Sequence, residues 1–233
     1  MPDTAHPTGP GRRKFVQSIL SSAVVAAAAP VVIEFSDSQR LNAQGNLGPD
    51  AAFQALLDGN QRFAANRLAS ITHDLEILKA HTVEKQEPFA AVLSCADSRV
   101  PVELIFDQTI GHIFVARVAG NVVTPEIIGS LEYGVAVLKV KTLLVLGHNG
   151  CGAVKAAMKA DTVPGQISTL YPPLRQAVEQ CGGNLEKAIK INAKIQAKLL
   201  RTSSTVIRDS VKAGRVNVEA GVYDLATGKV TLS

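Results

Sequence analysis

Tryptophan is missing from this chain, and aromatic residues make up only 4% of it, so the core must be filled by Val, Leu, Ile and Ala. No Lys/Arg stripe with interleaved aromatics is present. The formal charge of +4 therefore reads as a solvated surface, and a nucleic-acid partner is not expected. No repeat of 20–50 residues recurs, which excludes solenoids and propellers. Nothing marks a second folded domain. What the chain does hold in quantity is apolar side chain: 46% of its 233 residues, enough for one sizeable core.

The first forty-odd residues follow a different pattern. Arg12-Arg13-Lys14-Phe15-Val16-Gln17 precedes an apolar run from Ile19 to Phe35, broken by Ser21, Ser22, Pro30 and Glu34. A basic segment, a mildly hydrophobic stretch and a small-residue site make an export signal. Arg12-Arg13 with Phe15 resembles the twin-arginine motif, whose pathway carries folded proteins. Leu41-Asn42-Ala43 is the expected cleavage site, giving a signal over 1–43, a mature domain over 44–233, and a periplasmic or other extracytoplasmic destination such as a thylakoid lumen. The competing reading is a retained membrane anchor, which Pro30 and Glu34 disfavour, so no stable transmembrane span is expected after cleavage.

In the mature chain, residues 44–50 read as a linker with Asp50 a candidate helix N-cap. Phe53, Leu56, Leu57 and Phe63 recur at helical spacing over 50–66, and a second helix runs through Leu75, Leu78 and Ala80. Three short apolar runs, Phe89–Leu93, Ile113–Ala116 and Thr142–Leu146, suit buried strands. Helical patterns cover 125–138, 150–160, 173–181, 184–201 and 203–213, and 216–223 with 229–232 form a terminal strand pair. Strands alternating with helices predict an α/β fold with a mainly parallel central β-sheet flanked by helices. Active groups in such sheets gather at the carboxyl ends of strands.

Two such ends carry chemistry. Ser94-Cys95-Ala96-Asp97-Ser98-Arg99 follows the first predicted strand, and Gly147-His148-Asn149-Gly150-Cys151-Gly152 follows the third. Zinc prefers thiolate and imidazole donors. Cys95, His148 and Cys151 would supply three, leaving the fourth position open as in catalytic sites. The bland alternatives are buried cysteines acting as small hydrophobes, or a Cys95–Cys151 disulfide in an oxidising compartment. Asp97 and Arg99, two and four residues past the first ligand, are expected to pair by a charge-assisted contact.

Residues from about 50 to 232 resemble the beta-class carbonic anhydrases. The resemblance rests on Cys95-Ala96-Asp97-Ser98-Arg99, Ala119-Gly120-Asn121, Gly129-Ser130-Leu131-Glu132-Tyr133 and Gly147-His148-Asn149-Gly150-Cys151-Gly152. It implies one zinc ion (Zn2+) per chain on Cys95, His148 and Cys151, an Asp97–Arg99 dyad, and a homodimer or higher even oligomer. The implied activity is reversible hydration of carbon dioxide to bicarbonate and a proton by zinc-bound hydroxide. Gln86, Phe114 and Tyr133 match substrate-pocket positions of the family. Some relatives carry a tryptophan where this chain has Val92, which implies the open form with water as fourth ligand. Val92, Phe114 and Ala119 suit a pocket for a nonpolar gas, or ordinary packing. His73, His81 and His112 are proton-shuttle candidates that no spacing separates, each an exposed surface histidine by default. Cys181 reads as a bystander at a helix end. Two other functions remain open: hydrolysis of carbonyl sulfide or carbon disulfide on the same scaffold, and a non-catalytic zinc-stabilised binding module.

Overall fold

The computed structural model describes residues 47–70 and 75–233; residues 1–43, with Arg12 and Arg13, lie outside them, as do His73 and the side chains of Leu75, Leu78 and His81. Helix α1 spans Pro49–Ala64. It starts at Pro49, whose fixed φ suits the first helical position, so Gly48 is the N-cap and Asp50 falls in the first turn. Ala52, Leu56, Gly59 and Asn60 form its buried face. Helix α2 covers Leu75–Thr82, and the four-residue α3, Val102–Ile105, is too short to show a period in the sequence.

The sheet contains β1 (Ala90–Ser94), β2 (Ile113–Arg117), β3 (Thr142–His148), β4 (Asn217–Tyr223) and β5 (Val230–Leu232), in the order β2-β1-β3-β4-β5. The first four are parallel and β5 is an antiparallel edge. Every residue of β1 and β3 is buried, as expected of parallel strands covered on both faces. Ala91, Leu93, Leu143 and Val145 point to one face. There they meet α4 (Pro125–Ala136), α7 (Leu185–Ser203) and α8 (Thr205–Lys212). Ala90, Val92, Leu144 and Leu146 point to the other and pack on α1 and α3. Val92 is therefore core, and so is Leu56 of α1; Phe53 and Phe63 of the same helix are half-buried and pack against that core. The remaining helices are α5 (Gly152–Lys159) and α6 (Tyr171–Gln180). Among the described residues no helix is long and apolar enough to cross a membrane.

Two features bear on function. The chain runs from β1 outward to β2, then crosses to place β3 on the other side of β1, so the direction of winding reverses between β1 and β3. The crevice past the carboxyl ends of two such strands is where open α/β sheets bind ligands. Charge is also less scattered than the sequence suggests. Lys187, Lys190, Lys194 and Lys198 line one exposed face of α7.

Candidate metal centre

Ser94 of β1 pairs with Leu146 of β3, so the next residue of β1 emerges beside the last turn of β3. That puts Cys95 beside His148, which ends β3 as a strand residue instead of lying in the following turn. Asn149 and Gly150 then reverse the chain, and Cys151 caps α5. The donor atoms of Cys95, His148 and Cys151 lie within 4.8 Å of one another, and all three residues are buried. The two sulfurs are 4.0 Å apart and all three cysteines of the chain are free. Two thiolates on one tetrahedral zinc stand roughly 3.8 Å apart, given Zn–S bonds near 2.3 Å.

Donor chemistry agrees with that spacing. His148 Nδ1 bonds the Asn149 carbonyl at 3.0 Å, which fixes the ring with Nε2 facing the sulfurs. That buried Nε2 has no hydrogen-bond partner. A buried, unsatisfied imidazole nitrogen beside two thiols is a cost unless a ligand completes it. The hydrogen bond from Cys151 holds the Cys95 thiol well below the ordinary thiol range, aided by His148 and by the Gly120 N–H at 3.3 Å. Cys151 keeps the shared proton and is pushed up by that same contact and by burial. Burial opposes a charged His148, but the neighbouring Cys95 sulfur, with the Asn149 carbonyl and Asp97, outweighs it and raises its pKa. The site thus holds protons that a divalent metal would displace. The residues fit zinc.

Asp97 stands at the mouth of this cluster, its Oδ2 3.7 Å from His148 Nε2. Arg99 grips it with both nitrogens, Nε to Oδ1 at 2.9 Å and a terminal nitrogen to Oδ2 at 2.8 Å, while the Arg99 N–H adds a third bond at 3.0 Å. These contacts, the side-chain hydrogen bond first, hold the Asp97 carboxyl far below the usual carboxylate range.

The carbonic anhydrase family model matches residues 90–230, which contain all three donors and the dyad. The chain belongs to the carbonic anhydrases. A carbonic anhydrase of Mycolicibacterium smegmatis is 36% identical over 200 residues, covering 80% of this chain and 94% of the relative. The structure of the beta-carbonic anhydrase CafA of Aspergillus fumigatus superposes with a TM-score of 0.64 at 27% identity, covering 78% of this chain and 90% of the other. The Coccomyxa beta-carbonic anhydrase, solved with acetazolamide, gives 0.61 at 27% identity, covering 76% and 84%. The fold and the class are those of a beta-carbonic anhydrase.

Not every residue expected in the site reaches it within one chain. Gln86 is exposed ahead of β1, at the amino end of a strand whose carboxyl end carries Cys95. Five strand residues separate those ends by roughly 16 Å. Phe114 pairs with Ala91, four positions back from Cys95. Its ring meets that of Tyr133, centroids 6.3 Å apart, on the face carrying α4. Among the described residues, no hydrogen bond or ring contact links either to the cluster. His112 is buried at the amino end of β2 and bonded to Gln108, contrary to the expected exposed histidine, so it is not placed to shuttle protons. Cys181 caps α6, its thiol donating to the Val178 carbonyl, outside the donor cluster.

Other contributors were not anticipated from the sequence. Arg117, at the carboxyl end of β2, donates from Nε to the Cys95 carbonyl at 2.9 Å and from a terminal nitrogen to the Asp97 carbonyl, clamping the ligand loop. Asn149 is locked in turn: its Nδ2 donates to Asp224 past β4, and its Oδ1 accepts from the Leu225 N–H. A cation at the end of the strand next to a ligand loop is the one sequence signal that points to Arg117. Nothing in the sequence signals Asp224.

Proposed function

We propose that this beta-carbonic anhydrase interconverts carbon dioxide and bicarbonate with one zinc held by Cys95, His148 and Cys151. The observation that carries the reading is the convergence of two buried thiols and an unsatisfied imidazole nitrogen beside an ion-paired carboxylate. Bound zinc supplies the Lewis acidity that makes water a nucleophile near neutral pH. The protein's own groups do the rest. Asp97, ionised across the working range, acts as a hydrogen-bond acceptor that orients the nucleophile and cannot act as a proton donor. Arg99 occupies both carboxylate oxygens and so holds Asp97 beside the donors without letting it join them. Arg117 fixes the loop on which Cys95 and Asp97 ride. Sulfur analogues of carbon dioxide and a purely structural zinc are less favoured, because the dyad is intact and the relatives are carbonic anhydrases.

Assembly and export belong to the same proposal. The positions of Gln86, Phe114 and Tyr133 support a homodimeric unit in which substrate-pocket residues come from the neighbouring copy. Arg12-Arg13 and the apolar run to Phe35 support a twin-arginine signal over 1–43, a mature domain over 44–233 and an extracytoplasmic location.

The deciding experiment is a carbon dioxide hydration assay on zinc-quantified protein beside Cys151→Ser. Close to one zinc per wild-type chain with hydration activity, both lost in the variant, is expected. Full zinc occupancy in Cys151→Ser removes that residue from the ligand set. For export, Arg12→Lys with Arg13→Lys should leave precursor in the cytosol; unchanged export points to another route.

A further inference from the structure

The turn joining β2 to α4 touches the metal centre through one backbone group, the Gly120 N–H that donates to Cys95 Sγ at 3.3 Å. Gly120 sits at φ +76, and a Cβ there would meet Ala153 Cβ and Leu174 Cδ1 at 3.4 Å. The positive φ is what favours glycine here, since the neighbours leave just enough room for a Cβ. What aims the turn comes from α7. Asn192 Nδ2 donates to the Gly120 carbonyl at 2.9 Å, and Gln196 Oε1 accepts from the Val123 N–H at 2.8 Å. Gln196 Nε2 donates to Asn192 Oδ1 at 3.0 Å and to the Pro173 carbonyl at 3.2 Å. Asn192 and Gln196 lie one helical turn apart, each 1% exposed, among Ala188, Ile189, Ala193 and Ala197. A face that needed only to pack would be aliphatic there, because burying two amides costs free energy that only their hydrogen bonds recover. Those bonds all go to one another or to backbone groups, two of them to the 118–123 turn.

We propose that Asn192 and Gln196 are positioning residues of the metal centre. By clamping the 118–123 turn they hold the Gly120 N–H on Cys95 Sγ and so set how much charge that sulfur donates to the metal. The inference rests on Cys95, His148 and Cys151 binding a divalent metal. A hydrogen bond to a ligand sulfur draws charge from it, and groups behind the ligands commonly change metal affinity by about 10- to 100-fold when removed. Asn192→Leu keeps the side-chain size and deletes the donor to Gly120.

Two measurements test the proposal on the full domain. Wild-type protein loaded with cadmium-113 should show scalar coupling between the metal and the Gly120 amide proton, transmitted through Cys95 Sγ. In the cobalt form, Asn192→Leu should move the thiolate-to-metal charge-transfer band to longer wavelength, and its zinc affinity should fall about tenfold. A merely structural amide would lower the melting temperature and leave the band where it is. Cadmium-loaded wild type without the Gly120 coupling overturns the proposal, as does a folded Asn192→Leu with unshifted band and unchanged zinc affinity. Should Asn192→Leu not fold, the coupling alone decides. Wild type that takes up no cadmium overturns the metal reading itself, and this inference with it.

Discussion

Asp97 illustrates how neighbours decide a side chain's role. Its two oxygens are both bonded by Arg99, and its carboxyl is held far below the usual range, so it stays ionised wherever the protein works. Asp97→Asn keeps the shape and removes the charge. Zinc content should be retained while the hydration rate falls on the order of a hundredfold to ten-thousandfold, the range typical of a lost acid–base or orienting group. Because Asp97 does not titrate near neutrality, the variant's pH–rate curve should be lower but keep its shape, rising from neutral toward alkaline pH. A normal rate with normal zinc in this variant would sink the orienting role. The dyad was legible in the sequence because Asp97 and Arg99 stand two apart on one loop. Arg117 was not, because its 22-residue separation from Cys95 closes only when β1 and β2 pair.

Helix α1 crosses close to the end of α3. A Cβ built at Gly59 would lie 1.8 Å from the Phe106 carbonyl oxygen, so Gly59→Ala has to push backbone apart. Destabilisation of about 3 kcal/mol is expected, at the upper end of ordinary overpacking, measurable by denaturant unfolding. An unchanged midpoint would contradict the contact. The same region carries an acid-sensitive tie. Asp107 lies in the connection between β1 and β2 and accepts from Arg62 of α1 at 2.5 Å and from the Ala69 and Ser70 N–H groups. Burial works against its charge, but these donors outweigh it and its pKa is lowered. A lowered folded-state pKa gives stability that is present above the unfolded value of about 3.9 and is lost as pH falls through the folded value. Asp107→Asn, which tolerates the positive φ of this position, should cost about 2 kcal/mol at pH 7. The cost should shrink toward pH 3, and a penalty independent of pH would reject the charged tie. Helix α1 itself was readable from its 3.6-residue period. Which residues of that face reach the sheet was not: within the chain Ala52 and Leu56 are fully buried against it, while Phe53 and Phe63 are only partly covered.

At the scale of the whole molecule, the proposed homodimer can be tested at apolar side chains left outside the core. Tyr133 of α4, whose ring meets that of Phe114, is 47% exposed, and Val137 just past the helix is 55% exposed. Tyr133 stands on the outward face of α4, whose buried residues are Leu131, Gly134 and Val135, and it is the side chain on which the proposed dimer can be tested. Tyr133→Arg should halve the mass seen by light scattering and lower the hydration rate while zinc stays bound. An unchanged mass with full activity would overturn the proposed dimer surface.

The sequence by itself determined the class of fold, because apolar runs of strand length alternate with helical periods. It also determined the donor set, because C-x-D-x-R and H-x-x-C each place their chemistry within one strand end, where neighbours along the chain are neighbours in space. Only the tertiary structure decided what those ends face. Setting β3 beside β1 brings Cys95 within reach of residues more than fifty positions later, and strand order is not a local property of either strand. The same folding leaves Gln86, ahead of β1, and Phe114, within β2, away from the cluster while drawing in Arg117, Asp224, Asn192 and Gln196. Their separations in sequence carry no period, so no motif could announce them. Hydrogen bonds formed only when the strand ends and α7 come together chose them.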